Sequence, residues 1–133
     1  MTTKIHTYPL IIKETYLDSF GHVNNAVYLT LFEEARWDIL NKTGYGLKKI
    51  KETGLGPTIL EINIKFTKEL LPGDQVVIES QSLGVEKYVM KLSQKMIRNG
   101  EVCCLSVFTL GYFDIKQRKL VIPPEGFIKL IEG

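Results

Sequence analysis

The sequence predicts an α+β fold: a curved antiparallel sheet wrapped around one long helix. Three patterns lead there. A segment from about Asn24 to Asn41 is helical in period and apolar over more than half its circumference. Everything beyond residue 60 reads as antiparallel strands. One late strand, Glu101 to Phe113, is apolar on both faces. A helix that apolar needs a large surface to bury it, and a sheet curled around it satisfies that need.

In chain order, Lys4 to Thr15 carries Tyr8, Leu10, Ile11 and Ile12 and predicts a first strand interrupted at Pro9. A loop, Asp18 to Val23, contains Gly21. The helix follows, with Asn24 or Asn25 as N-cap and Thr43-Gly44 as its stop. Tyr28, Leu31, Phe32, Ala35 and Ile39 form its apolar stripe, widened by Leu29 and Leu40. Thr30, Glu33, Glu34, Trp37 and Asn41 lie on the opposite side. A second loop holds Gly54, Gly56 and Pro57. In the next strand Leu60, Ile62, Ile64 and Phe66 alternate with polar residues.

Leu71-Pro72-Gly73-Asp74 has turn chemistry. Gln75 to Leu83 is read as a strand, turned by Gly84-Val85-Glu86 into Lys87 to Ile97, where Tyr88, Met90, Leu92 and Met96 share a face. Asn99-Gly100 is a strong hairpin signal, because both central residues of a type I′ turn need positive φ. The strand after it is expected at the centre of the sheet, covered on two sides. Asp114 to Lys119 is a polar turn. Leu120-Val121-Ile122 follows, and Pro124 opens a short helix bearing Phe127, Leu130 and Ile131.

With 133 residues and no internal repeat or linker-like stretch, residues 1–133 are expected to form a single domain. The net charge of +2, with basic and acidic residues interleaved, argues against nucleic-acid binding. No window approaches the ~18 apolar residues of a membrane span, and Tyr8 to Ile12 is too short for a secretory signal. Cys103 and Cys104 are adjacent, and an ordinary strand points neighbours to opposite faces. No Cys/His ligand set exists, so no metal site and no cofactor are expected, and a reduced, cytoplasmic protein is the reading.

Chemistry concentrates in Asp18-Ser19-Phe20-Gly21-His22-Val23-Asn24-Asn25, followed by Tyr28: a carboxylate, an imidazole and two amides just before a helix N-terminus. The unpaired N–H groups of a first helical turn suit developing negative charge. A carboxylate that attacks directly, or that takes a proton from water, completes the minimum set for acyl transfer. Asp, Asn and Ser before a helix are also the ordinary residues of caps and turns, and Glu33 and Glu34 suit a solvated helix face. On the residues alone, both readings stand.

The run Tyr16-x-Asp18-x-x-Gly21-His22-Val23-Asn24-Asn25-x-x-Tyr28, continuing to Phe32-Glu33-Glu34-Ala35-Arg36, resembles the signature of the 4-hydroxybenzoyl-CoA thioesterase family. Bacterial acyl-acyl-carrier-protein thioesterases look similar. The likeness extends more loosely through Leu71-Pro72-Gly73-Asp74 to Ile122-Pro123. It implies the hot-dog fold and hydrolysis of an acyl-CoA or acyl-carrier-protein thioester. In that resemblance Asp18 matches the catalytic nucleophile or general base, and the backbone N–H of Asn25 matches the oxyanion donor. Gly21, His22, Asn24 and Tyr28 support the site. A second lineage uses a carboxylate on the helix, which makes Glu34, then Glu33, the alternative base. The family's active site lies between subunits, which implies a homodimer, with further pairing into a tetramer left open. Lys87, Arg98, Lys116, Arg118 and Lys119 are candidates for the CoA phosphates. Two other functions are considered: a hot-dog hydratase or dehydratase, whose catalytic His and carboxylate sit in a different motif, and a non-catalytic acyl-CoA-binding module, for which Asp18 would be of no use.

Overall fold

The structure is a computed structural model that describes residues 3–133. Strands β1 (Ile5–Ile11), β2 (Leu55–Phe66), β3 (Gln75–Glu86), β4 (Val89–Arg98) and β5 (Glu101–Asp114) pair in the order β1-β3-β4-β5-β2, and β6 (Lys119–Val121) adds to β5. All pairings are antiparallel. Helix α1 (Asn25–Thr43) packs on one face of this sheet, flanked by the short helices α2 (Leu47–Thr53) and α3 (Glu125–Glu132). This is the hot-dog arrangement, a sheet around a central helix.

The helix forms where its caps predict. The Asn24 side chain accepts the Ala26 N–H at 2.9 Å, and Gly44 at φ 84° closes the other end with its N–H on the Leu40 carbonyl. Tyr28, Leu31, Phe32, Ala35, Ile39 and Leu40 are buried on the sheet, where Phe32 meets Phe108 edge to face at 5.9 Å. Trp37 departs from its expected polar side: it is half-buried, because α2 and α3 widen the surface that α1 packs against. α2 itself replaces an expected loop. Its sequence offers only Leu47 and Ile50 as apolar anchors and no side-chain cap, so period gives little warning of it.

Four further departures follow from sheet geometry. β1 runs unbroken through Pro9, since it is an edge strand and the missing N–H breaks no ladder on its free side. The β3–β4 turn falls at Lys87-Tyr88, with Lys87 at φ 55°, while Leu83 is the unpaired residue of a bulge between the pairs Ser82–Leu92 and Gly84–Lys91. A bulge at Leu60, between the pairs Ile59–Leu110 and Glu61–Thr109, shifts the alternation of β2. Pro57 and Ile59 therefore share the helix side of the sheet with Ile62, Ile64 and Phe66, and Leu60 packs behind it beside Gly111. Last, β5 is central as expected, but only its helix side is well buried; Leu105 and Val107 on the other face are half-exposed. The Asn99-Gly100 turn has both positive φ angles, 51° and 77°.

Candidate active site

Asp18 sits in a five-residue loop closed at its base. Leu17 bridges Val23, the Asp18 N–H reaches the His22 carbonyl at 2.7 Å, and the Asn24 N–H reaches the Tyr16 carbonyl at 2.8 Å. Gly21, at φ 80°, makes the reversal that a side chain would strain. Within the loop Asp18 Oδ1 accepts the backbone N–H of Phe20 at 2.9 Å and of His22 at 3.1 Å. The carboxylate is thereby oriented through one oxygen. Oδ2 has no hydrogen-bond partner among the described residues.

The loop delivers Asp18 to the start of α1. There the Ala26 N–H is taken by the Asn24 side chain and the Val27 N–H by the Asn24 carbonyl at 2.9 Å. The Asn25 N–H has no acceptor among the described residues. It is one of the orphan donors at a helix start, where the helix dipole adds to its pull on negative charge.

Asp18, His22, Asn24, Asn25 and Tyr28 line one open pocket of about 650 Å³. Its far wall is Phe66, from the alternating strand that the sequence marks out, with Thr67, Lys68 and Glu69, which the sequence did not single out. Thr67 and Lys68 are held by N–H bonds to the Cys103 carbonyl at 2.9 and 3.1 Å, and Thr67 Oγ bonds the Val102 carbonyl at 2.9 Å. Tyr28 is buried, with its ring edge-on to Phe66 at 4.8 Å. Burial pushes its phenol up to about 12, with the nearby Cys104, Cys103 and Glu69 adding, so it stays protonated across physiological pH. His22 is exposed, its Nε2 lying 3.6 Å from Glu69 Oε1.

Not every expected residue gathers here. Glu34 is exposed on the side of α1 that faces Tyr8 of β1, and it does not line the pocket. Gly21 shapes the loop from outside the lining. Of the expected phosphate-binding cations, Arg98 is engaged by Asp74 at 2.8 Å and by the Glu69 carbonyl at 2.8 Å, whereas Lys68, unforeseen, stands at the pocket wall. Cys103 is the unpaired residue of a bulge between the pairs Met96–Cys104 and Ile97–Val102, so both free thiols are buried close to Tyr28 instead of on opposite faces. Among the described residues, no helix is long and apolar enough to cross a membrane.

The chain has relatives among known proteins. The chain is 27% identical over 125 residues to the chloroplastic acyl-acyl carrier protein thioesterase ATL2 of Arabidopsis thaliana, covering 89% of this chain and 64% of that protein. It is 27% identical over 110 residues to the long-chain acyl-CoA thioesterase FadM of Escherichia coli, covering 81% and 83%. A further plant relative, ATL3, is 30% identical over 82 residues, 62% of this chain and 43% of its own length. The chain thus spans 43% and 64% of the lengths of the two plant relatives it matches. Among solved structures, the probable thioesterase YbaW of Escherichia coli superposes with a TM-score of 0.85 at 24% identity, covering 96% and 99% of the two chains. A Staphylococcus aureus protein in complex with CoA gives 0.89 at 17% identity, covering 98% and 84%. At such identities these two establish the fold alone. The model of the thioesterase-like superfamily matches residues 13–131, and the chain belongs to that superfamily.

Proposed function

We propose that this protein is a thioester hydrolase acting on acyl-CoA or acyl-carrier-protein substrates, with the loop carboxylate working as in the 4-hydroxybenzoyl-CoA thioesterases. The observation that carries this reading is that Asp18, with one free oxygen, and the unpaired Asn25 N–H share a pocket at the start of α1. The superfamily membership and the named activities of ATL2 and FadM support it.

Asp18 Oδ2 takes a proton from water as the water oxygen bonds to the thioester carbonyl carbon. The carbonyl oxygen becomes an oxyanion and accepts the Asn25 N–H. When the oxyanion collapses, the C–S bond breaks, the leaving thiolate takes the proton held on Asp18 Oδ2, and the products are a carboxylic acid and a free thiol, with the Asp18 carboxylate restored. Direct attack by Oδ2, through an anhydride that water then opens, uses the same two groups. One oxyanion donor contributes about 3 kcal/mol and general-base assistance about 10²–10⁴-fold. His22 and Asn24 shape the loop and the cap, Tyr28 and Phe66 form an apolar wall, and Lys68 faces the phosphate-bearing carrier. Two free, buried cysteines suit a reducing compartment such as the cytoplasm. The working unit is a homodimer.

Asp18→Asn tests the assignment. Asparagine retains an Oδ1 for the Phe20 and His22 N–H groups, so the melting temperature should stay put while kcat falls about 100-fold or more. Glu34→Gln in the same assay should retain activity. The reverse result would move the base to the helix; full activity in both variants would remove the proposed mechanism.

A further inference from the structure

The ring of Tyr28 belongs to the core, but packing does not account for its tip. The residue is only 6% exposed, with the ring edge-on to Phe66. Its hydroxyl has no hydrogen-bond partner among the described residues, although a buried phenol ordinarily finds one. Among those residues, every side-chain oxygen or nitrogen that is sealed from solvent does have a partner. The Tyr28 hydroxyl is therefore not sealed, and the space it opens onto is the Asp18 pocket, which the residue lines.

Tyr28 stands one turn after Asn25 on the same side of α1, roughly 5–6 Å away at Cβ. Helical side chains lean toward the N-terminus, so the ring carries its hydroxyl back toward the helix start. Three polar groups are then unpaired around one pocket: Asp18 Oδ2, the Asn25 N–H and the Tyr28 hydroxyl.

Thioester hydrolysis has three atoms to serve. Asp18 meets the water and the Asn25 N–H meets the carbonyl oxygen, which leaves the sulfur. The phenol stays protonated, so it can act there as a donor. A neutral thioester sulfur is a weak acceptor and a thiolate a strong one. A donor at this point gains strength as the C–S bond breaks, and so lowers the barrier instead of only tightening binding. The proton that ends on the thiol still comes from Asp18 Oδ2. Tyr28 keeps its own, because its phenol is a far weaker acid than a thiol of ordinary pKa, about 8.5.

We propose that the Tyr28 hydroxyl is a catalytic group of this site, donating a hydrogen bond to the leaving sulfur of the substrate. This rests on the thioesterase reading above and adds to it the group that serves the departing thiolate.

Tyr28→Phe keeps the ring against Phe66 and removes only the hydroxyl. Palmitoyl and butyryl esters of CoA and of carrier protein, whose thiolates leave reluctantly, are assayed beside the same acyl groups on para-nitrothiophenol, whose thiolate needs no help. On the CoA and carrier-protein esters kcat should fall about 100-fold, the usual loss on removing one such donor, and on the nitrothiophenyl esters less than about threefold. Losses of equal size on both kinds of ester overturn the proposal, because a donor to the oxyanion or a purely structural role lowers both. An unchanged rate on the CoA and carrier-protein esters overturns it as well.

Should the Phe variant fail to fold, difluorotyrosine installed at position 28 keeps the hydroxyl and nearly the size while making the phenol more acidic. A phenolate cannot donate, so cleavage of the CoA ester should be lost at a lower pH on the alkaline side than in wild type, with nitrothiophenyl hydrolysis unaffected there. An alkaline limit that does not move overturns the proposal. A wild-type chain that cleaves none of these esters overturns the hydrolase reading and the inference together, whereas an active wild type whose variant loses both kinds of ester alike overturns the inference alone.

Discussion

Gln94 is fully buried, and its amide ties three elements together. Nε2 donates to the Phe32 carbonyl of α1 at 3.1 Å and to Ser80 Oγ of β3 at 3.0 Å, and Oε1 accepts from Arg36 Nη1 at 2.8 Å. Arg36 in turn lies 4.4 Å from the centre of the Phe108 ring. Burial lowers its pKa, with Glu33 opposing. A buried donor or acceptor stripped of its partner costs about 1–3 kcal/mol. Gln94→Leu leaves the Phe32 carbonyl, the Ser80 hydroxyl and the guanidinium without this partner, and should lower unfolding free energy by about 3 kcal/mol on that scale. Urea unfolding with an unchanged slope would measure it, and a loss under about 1 kcal/mol would mean that the network relaxes freely. Because Gln94 lies apart from the Asp18 pocket, the folded fraction of this variant should keep its kcat.

At the scale of elements, the connection from β2 to β3 decides where the far wall of the site stands. Asp74 Oδ2 accepts the Leu71 N–H at 2.8 Å and Arg98 Nη1 at 2.8 Å, and the same Nη1 donates to the Glu69 carbonyl at 2.8 Å. One carboxylate thus ties the turn to β4 and steadies the segment that carries Glu69. The Leu71 N–H first, and the Arg98 hydrogen bond second, hold the Asp74 carboxyl below its ordinary pKa. A carboxyl depressed in the folded state contributes stability that is complete above its unfolded pKa, near 4, and is lost as pH falls through the folded value. Melting temperatures taken from neutral pH down through the acid range should fall more steeply below about pH 4 for wild type than for Asp74→Asn, which has no proton to gain. Parallel curves would show that Asp74 adds nothing to acid sensitivity.

For the whole molecule, the informative feature is what α1 leaves uncovered. Ile62 and Phe66 face the helix side of β2, yet they are 40% and 51% exposed, and among the described residues β2 has no strand on its outer edge. An apolar, unpaired edge of this length invites pairing with another chain. A homodimer that joins β2 to β2 would cover it and set the two α1 helices side by side. Ile62→Lys puts a charge into that contact without touching the Asp18 pocket. Sedimentation should then shift from dimer to monomer, with activity falling alongside. A wild type that sediments as an active monomer would refute the dimer.

The features legible in the sequence are those decided within a few residues. Asn24 and Gly44 bound α1 because a side-chain cap and a left-handed stop act locally. Asn99-Gly100 turns the hairpin because each tolerates positive φ, and Met90, Leu92 and Met96 fall on one face because β4 keeps its period of two. The Asp18–Tyr28 run could be read for the same reason: the loop, the cap and the helix start are consecutive, so one stretch of sequence assembles the acid, the unpaired N–H and the aromatic wall. Pairing between distant segments decided the rest. Phe66, Thr67, Lys68 and Glu69 meet Asp18 only because β2 runs antiparallel to β5 and ends opposite Cys104. The bulges at Leu60 and Cys103 redirect side chains that alternation assigns to other faces, and an extra residue in one strand is defined only against its partner. Trp37 turns inward because α2 and α3 close over it, and Pro9 is tolerated because β1 falls at an edge. Periodicity reports what one element would bury, whereas a pocket is built from elements whose contacts span most of the chain.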